Sequence, residues 1–202
     1  MDLRIDVDFG DVQRRLGLLQ DGVGTRALAS AVNKTIAVAR TDMQREITRE
    51  FNVSAGYVRE RLQIRRAVAS LGRVGIVAQL KGGKGKRSAN IIRFVEHAVT
   101  LAQGRKRAKA GTQSLLHVKV LRRGKSKPMK GAFIGNKGRT VFRRVGAQRL
   151  PIEPVSTVDV ASMFNAKRIN SKVVETIRRR LPDIFEREAS FYVDRFNRGG
   201  TN

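Results

Sequence analysis

Apolar and polar residues alternate strictly over residues 2–8, where Leu3, Ile5 and Val7 would share one face of an extended chain. A period of two is typical of a half-buried strand, because successive side chains of a strand point to opposite faces. The spacing then changes to a helical stripe over residues 12–19, which "DGVG" ends. The N-terminal region is therefore predicted to be a strand followed by a short helix.

The longest regular pattern lies between Thr25 and Phe51. Apolar residues recur there at steps of four or seven, in the 3.6-residue period of a helix with one buried stripe: Leu28, Val32, Ile36, Met43 and Ile47. Neither Gly nor Pro interrupts the pattern, so it predicts one long helix without a kink. Ser54 is placed to cap a second, short helix that ends near Leu62.

Short alternating segments in the middle of the chain predict antiparallel strands. "LQIRRAVAS" and "RVGIVAQL" form one predicted hairpin through a Leu71-Gly72 turn, with one face on the long helix. "IIRFVEHAV" and "SLLHVKVL" are further strand candidates, and the basic turn "RRGKSKP" joins the latter to "GAFIG". "NKG" is a tight-turn signal between "GAFIG" and "TVFRR", which predicts a second hairpin over residues 131–145. Pro151 and Pro154 are expected to end the sheet.

The C-terminal region returns to helical spacing. Ser156 is a candidate cap for a short helix, and a longer helix is predicted from Ser171, with Pro182 expected to kink or split it. The summed pattern predicts an α+β fold, in which a long N-terminal helix and C-terminal helices pack on an antiparallel β-sheet with long basic loops. We expect an α+β core over residues 1–155 and a C-terminal helical region over residues 156–202.

Charge is concentrated in the middle of this 202-residue chain, whose net charge is +25. Residues 81–150 hold 20 Lys and Arg against one acid, Glu96, whereas the flanks are nearly balanced. Two predicted basic loops, 81–90 and 104–111, are candidates for binding DNA or an acidic protein partner. Their candidate binding residues are Lys81, Lys84, Lys86, Arg87, Arg105, Lys106, Arg107 and Lys109.

The residues that carry catalysis are scarce. The chain has no Cys, and its two histidines, His97 and His117, lie in different strand-like segments. "GGKGKRS" lacks the spacing of a phosphate-binding loop, and carboxylates are too sparse in the middle of the chain to form a metal site. The acidic N-terminus is not a targeting leader, and no apolar run reaches the roughly 20 residues of a membrane span. We predict no enzyme, no cofactor, no metal and no membrane contact.

Several motifs, in order along the chain, resemble the prophage minor tail protein Z family, the tail completion proteins of lambda-type phages. The strongest lie in "GAFIGNKGRTVFRRVGAQRLPIEPVSTVDVASMF" and comprise Ala132-Phe133-Ile134, Val141-Phe142-Arg143-Arg144 and Arg149-Leu150-Pro151-Ile152. "LASAVNKTIAVARTDMQREITREFNVSAGYVRERLQIRRA" resembles the N-terminal helix of the family, and "IIRF" matches a step before the basic loop.

The resemblance implies a structural virion protein that acts late in tail assembly, at the head-proximal end, and connects head and tail. Its partners would be other tail and neck proteins: the tail terminator, the tail tube and the connector. By analogy with six-fold tails, a homo-oligomeric ring of six copies is expected in the virion tail, assembled in the host cytoplasm. We expect the hairpin to carry the assembly interface, through Phe133, Ile134, Val141, Phe142, Arg143, Arg144 and Arg149.

The charge leaves alternatives open. The basic loops would suit non-specific contact with DNA in the tail lumen or contact with acidic surfaces of adjacent rings, and the sequence does not separate the two. A sequence-independent nucleic-acid-binding protein explains the charge equally well but explains the long apolar-striped helix less well. An RNA-processing enzyme would need a catalytic group that the sequence does not offer.

Overall fold

The structure, a computed structural model, describes residues 2–4, 22–68, 79–82, 89–97, 116–146 and 148–199. Its α-helices are α1 (Val23–Glu50), α2 (Ala55–Arg61), α3 (Val160–Phe164) and α4 (Lys167–Gly199), and a 3₁₀ turn covers Ile91–Phe94. The first strands are β1 (Asp2–Arg4), β2 (Leu62–Arg65), β3 (Gln79–Gly82), β4 (Ala89–Asn90), β5 (Val95–His97) and β6 (Leu116–Val118). They are followed by β7 (Lys127–Met129), β8 (Ala132–Gly135), β9 (Thr140–Arg144), β10 (Ile152–Pro154) and β11 (Ser156–Thr157).

The two long helices, α1 and α4, run antiparallel against each other. Polar contacts cross between them in regular order, joining Ser30 to Glu188, Glu46 to Lys172 and Glu50 to Arg168. The apolar stripe of α1 faces inward, and Ile36, Met43 and Ile47 have no solvent exposure. A helix of this length in water depends on such a buried face rather than on intrinsic propensity.

A charged group is buried where the start of α1 meets α4. Glu188 is only 7% exposed; it accepts hydrogen bonds from Ser30 Oγ at 2.6 Å and from Lys34 Nζ. Burial by itself raises the pKa of Glu188, but the hydrogen bonds from Lys34 and Ser30 outweigh it, so the pKa lies below the ordinary 4.5. The carboxylate is therefore charged at neutral pH and ties the two helices together.

The hydrophobic core lies between this helix pair and the inner faces of small sheets. Its largest fully buried side chains outside α1 include Leu62, Leu80, Phe94, Leu116, Phe164 and Ile169. Residues of α3 and α4 join those of α1 and the strands in the same hydrophobic cluster. The C-terminal helices thus complete the core that α1 begins.

Within the described residues, the strands form four small antiparallel sheets rather than one continuous sheet. Their strand orders are β1-β3-β2, β11-β4, β5-β6-β7 and β10-β9-β8. In the first sheet, Leu62 lies opposite Gly82 and Arg65 lies opposite Gln79. This is the antiparallel pair predicted against the long helix, and its turn falls outside the described residues.

The local predictions near the long helix are confirmed. One helix covers Val23–Glu50, and the hydroxyl of Ser54 accepts a hydrogen bond from the backbone N–H of Tyr57 at 3.3 Å, at the start of α2. The predicted strand over residues 2–8 is present at Asp2–Arg4, and the rest of it lies outside the described residues, as does the predicted helix over 12–19. The α+β class is likewise confirmed.

Four local predictions need correction. Residues 91–94 form a 3₁₀ turn instead of a strand, because the side chain of Asn90 caps the N–H of Ile92. Pro151 and Pro154 do not end the sheet: Ile152–Pro154 is β10, an edge strand, where a missing N–H is tolerated. Asp159, rather than Ser156, caps α3, through a 2.8 Å hydrogen bond to the N–H of Ser162.

The last correction concerns the C-terminal helix. It begins at Lys167, four residues before the predicted start, and Pro182 lies inside it without splitting it. Packing of Val173, Ile177 and Leu181 against the core holds this segment helical despite the proline.

Candidate assembly surface

The predicted hairpin over residues 131–145 forms as β8 and β9. Phe133 lies opposite Phe142, and Gly135 lies opposite Thr140. The turn uses left-handed backbone, with φ of 50° at Asn136, 51° at Lys137 and 83° at Gly138. Asn and Gly tolerate this region best, which is why "NKG" marks the turn in the sequence.

Strand pairing sorts the side chains of this sheet onto two faces, because directly opposed residues of an antiparallel pair point the same way. Ala132, Ile134 and Val141 share the face that packs on the core. Val141 has no solvent exposure, so it is a core residue and not the contact residue that was predicted.

The core face is fixed by a side-chain link from β4. Asn90 Oδ1 accepts the N–H of Val141 at 2.9 Å, and Asn90 Nδ2 donates to the carbonyl of Val141 at 3.2 Å. The same carbonyl accepts the N–H of Val155 at 2.9 Å. These bonds fix the turn end of the hairpin to the body of the protein, because Val141 is one residue from the pair that closes the turn.

The opposite face of the sheet is open. The rings of Phe133 and Phe142 stack with their centroids 6.0 Å apart, and both are half-buried. The guanidinium of Arg144 lies 5.5 Å from the centroid of the Phe133 ring, within cation–π range. Ile152 of β10 lies opposite Arg144 and continues this face.

Further apolar side chains are exposed beside this face. Val145 is 57% exposed and Leu150 is 64% exposed, and the N–H of Val145 donates to the carbonyl of Pro151 at 3.2 Å. Arg144 and Arg149 are exposed as well, whereas Arg143, also exposed, lies opposite Ala132 and so points to the other face of the sheet. We define the hairpin surface as Phe133, Phe142, Arg144, Arg149, Val145, Leu150 and Ile152.

The composition of the hairpin surface resembles that of protein–protein contacts. Aromatic residues and arginine are enriched at such contacts, and clustered exposed apolar residues mark them on otherwise polar surfaces. Sequence reasoning named Phe133, Phe142, Arg144 and Arg149 but missed Val145, Leu150 and Ile152. Ile152 is identified only by its pairing with Arg144, because Pro151 and Pro154 make this segment look unlike a strand in the sequence.

Of the eight candidate binding residues in the predicted basic loops, the structure describes one. Lys81 is half-buried in β3, opposite Gln63, so the strand continues into the predicted loop. Lys84, Lys86, Arg87, Arg105, Lys106, Arg107 and Lys109 lie outside the described residues, and their role stays a prediction.

The histidines are nearer to each other than the sequence suggests. The backbones of His97 and His117 are opposed in the pairing of β5 with β6, a relation that only the register reveals. Across the described residues, no group of three or more His, Asp or Glu side chains is placed to hold a metal ion. No described helix has the length and apolarity needed to cross a membrane.

A family model matches residues 12–198, and its description is prophage minor tail protein Z (GPZ). The match includes all of α1 to α3 and the whole hairpin surface, and it extends nearly to the end of α4. The family resemblance seen in the motifs is therefore confirmed. Comparison with curated proteins and with solved structures gives no match.

Proposed function

Because the chain belongs to the prophage minor tail protein Z family and is a structural protein of a phage tail, we propose that it is a tail completion protein. It acts as a ring subunit at the head-proximal end of the tail, where it joins head and tail. The role is one of assembly and not of catalysis. The observation that carries the proposal is the family match over most of the chain.

The hairpin surface supplies the contact that such a subunit needs. Its apolar and arginine side chains are exposed, whereas the hairpin that presents them is fixed through Asn90 and Val141. A rigid element that presents an apolar patch loses little conformational entropy on binding. In a closed ring, this surface would meet a different surface on the next copy or on a neighbouring ring.

The proposed partners are further copies of the chain, in a ring of six, and the tail terminator, tail tube and connector. The basic loops, 81–90 and 104–111, then face either DNA in the lumen or acidic surfaces of neighbouring rings. The charge of the middle segment also favours a second function, sequence-independent binding of nucleic acid.

The first test measures the mass of the purified protein by light scattering, alone and with tail tubes, and locates bound protein on tubes by electron microscopy. Ring-sized oligomers, or protein bound at one end of each tube, support tail completion. A monomer that ignores tubes but shifts unrelated DNA duplexes, with a steep dependence on salt, contradicts it and favours the nucleic-acid alternative.

A variant tests the hairpin surface itself. Leu150→Asp with Arg144→Glu should abolish oligomers and tube binding while circular dichroism stays unchanged, because both side chains are exposed. The matched control is Val68→Asp with Arg66→Glu, since Val68 is 80% exposed and lies far from the hairpin in sequence. Equal loss in both variants would show that the effect comes from net charge and not from the hairpin surface.

A further inference from the structure

The pairing of α1 with α4 leaves an open groove along one side of the helix pair. Its apolar lining, called the groove floor below, consists of Ala37, Val38, Val173 and Ile184, of which Val173 is fully buried. On α4 it extends from Lys172 to Arg187, which at 1.5 Å per residue is about 22 Å. This length matches about four turns of an α-helix.

The rim of the groove is strongly basic. Its charged residues are Arg45, Lys172, Arg179, Arg180 and Arg187 against Asp42 and Glu46. Both carboxylates already have partners, since Asp42 accepts a hydrogen bond from Arg45 at 3.0 Å and Glu46 accepts one from Lys172 at 2.9 Å.

Two of the remaining rim arginines have no acidic partner among the described residues. Arg179 and Arg180 are exposed, and neither forms an ion pair with any other described residue. Arg187 donates from Nε to the backbone carbonyl of Asp183 at 3.3 Å, and its charge also helps to lower the pKa of Glu188. Among the described residues, the groove therefore presents two positive charges, Arg179 and Arg180, that no acidic side chain compensates, beside aliphatic lining residues.

We propose that this groove binds an acidic amphipathic helix of another protein. Apolar side chains of the partner would cover Ala37, Val38 and Ile184, and its carboxylates would pair with Arg179 and Arg180 in charge-assisted hydrogen bonds. The inference stands apart from the tail completion role, because it concerns helices α1 and α4 and not the hairpin surface.

Two other occupants fit less well. A second copy of this chain would bring 42 basic against 17 acidic residues to an already basic groove. Single-stranded nucleic acid stacks its bases on aromatic side chains, and none lines the groove among the described residues.

The test uses the full chain and a fluorescent synthetic peptide of about 15 residues, made of Glu, Leu and Ala with the leucines on one helical face. Fluorescence anisotropy measures binding. A scrambled peptide of the same composition separates amphipathic recognition from attraction by charge alone. We expect the patterned peptide to bind at least about tenfold more tightly than the scrambled one, because only it covers the floor.

Charge reversal locates the site. Arg179→Glu with Arg180→Glu should weaken peptide binding at least about tenfold, because two rim charges become repulsive. The control is Arg178→Glu with Arg195→Glu, which makes the same change in net charge on the same helix outside the groove lining. Should the reversal disturb folding, Arg179→Gln with Arg180→Gln serves in its place.

Each result decides the proposal. The proposal is supported if the groove variant, but not the control variant, binds the peptide more weakly and the parent protein prefers the patterned peptide. Equal binding of both peptides, or equal loss in groove and control variants, overturns it. It is also overturned if a short DNA duplex binds more tightly than the peptide through Arg179 and Arg180.

Discussion

Replacing Asn90 by Ala should destabilise the protein by removing the link that fixes the hairpin to the body. The side chain makes three hydrogen bonds: from the N–H of Val141 at 2.9 Å, from the N–H of Ile92 at 3.1 Å, and to the carbonyl of Val141 at 3.2 Å. The N–H of Ile92 lies in the first turn of the 3₁₀ segment, where the backbone offers no acceptor.

The magnitude follows from what each group loses. A hydrogen bond contributes about 1 kcal/mol net, and a donor left unpaired costs about 1–3 kcal/mol if it is buried. The carbonyl of Val141 keeps the N–H of Val155, so its loss is small. Asn90 is half-buried, and water can reach part of the site. We therefore expect Asn90→Ala to lower the free energy of unfolding by about 2 kcal/mol.

Asn90→Asp is the matched control, because a carboxylate still accepts from both N–H groups, while its second oxygen replaces the amide donor that faces the carbonyl of Val141. The retained hydrogen bonds outweigh that oxygen–oxygen contact, so Asn90→Asp should lose less stability than Asn90→Ala. The assay is urea unfolding followed by circular dichroism. The reasoning is refuted if Asn90→Ala lies within about 0.5 kcal/mol of the parent protein, the range of an ordinary surface substitution. It also fails if Asn90→Asp is as unstable as Asn90→Ala.

Three further substitutions test the packing of the core and helices. Because the pKa of Glu188 lies below 4.5 in the folded state, its stabilisation is present above that pH and is lost as pH falls through the lower folded value. The gap in urea midpoint between the parent and Glu188→Gln should therefore narrow on acidification below 4.5, and a constant gap would contradict this. Gly82→Ala would place a Cβ 2.7 Å from Cγ of the buried Phe164 and should lower the free energy of unfolding by about 1–3 kcal/mol. An unchanged urea midpoint would show that the added methyl group causes no clash. Pro182→Ala should raise the melting temperature, because the position is exposed and Pro is less favourable than Ala within a helix by about 3 kcal/mol. A lower melting temperature would mean that α4 is adapted to its proline.

The elements that the sequence predicts correctly are those specified by neighbouring residues. The period of α1, the cap at Ser54 and the turn at "NKG" each depend on residues within one or two turns of the chain. For the same reason, the hairpin and much of the hairpin surface could be found before any tertiary contact was known.

The errors arise where distant residues decide. Gly82 reads as part of a flexible basic loop, but it lies in β3, and its missing side chain makes room for Phe164 of α3. Ile152 reads as part of an exit from the sheet because prolines flank it, whereas its pairing with Arg144 makes it an edge-strand residue. Glycine and proline occur both in loops and in packed strands, and only tertiary contacts distinguish the two cases.

The groove between α1 and α4 shows why net charge along the chain is an incomplete guide to binding. Outside residues 81–150, basic and acidic residues are nearly balanced, so the sequence of these flanks does not predict a basic site. Folding separates their charges, since Glu46, Glu50 and Glu188 are used in cross-helix contacts. Arg179 and Arg180 remain without such partners on the same helix pair. A local excess of positive charge thus arises because the acidic residues are paired across the two helices, whereas the groove arginines Arg179 and Arg180 are not paired within the described residues.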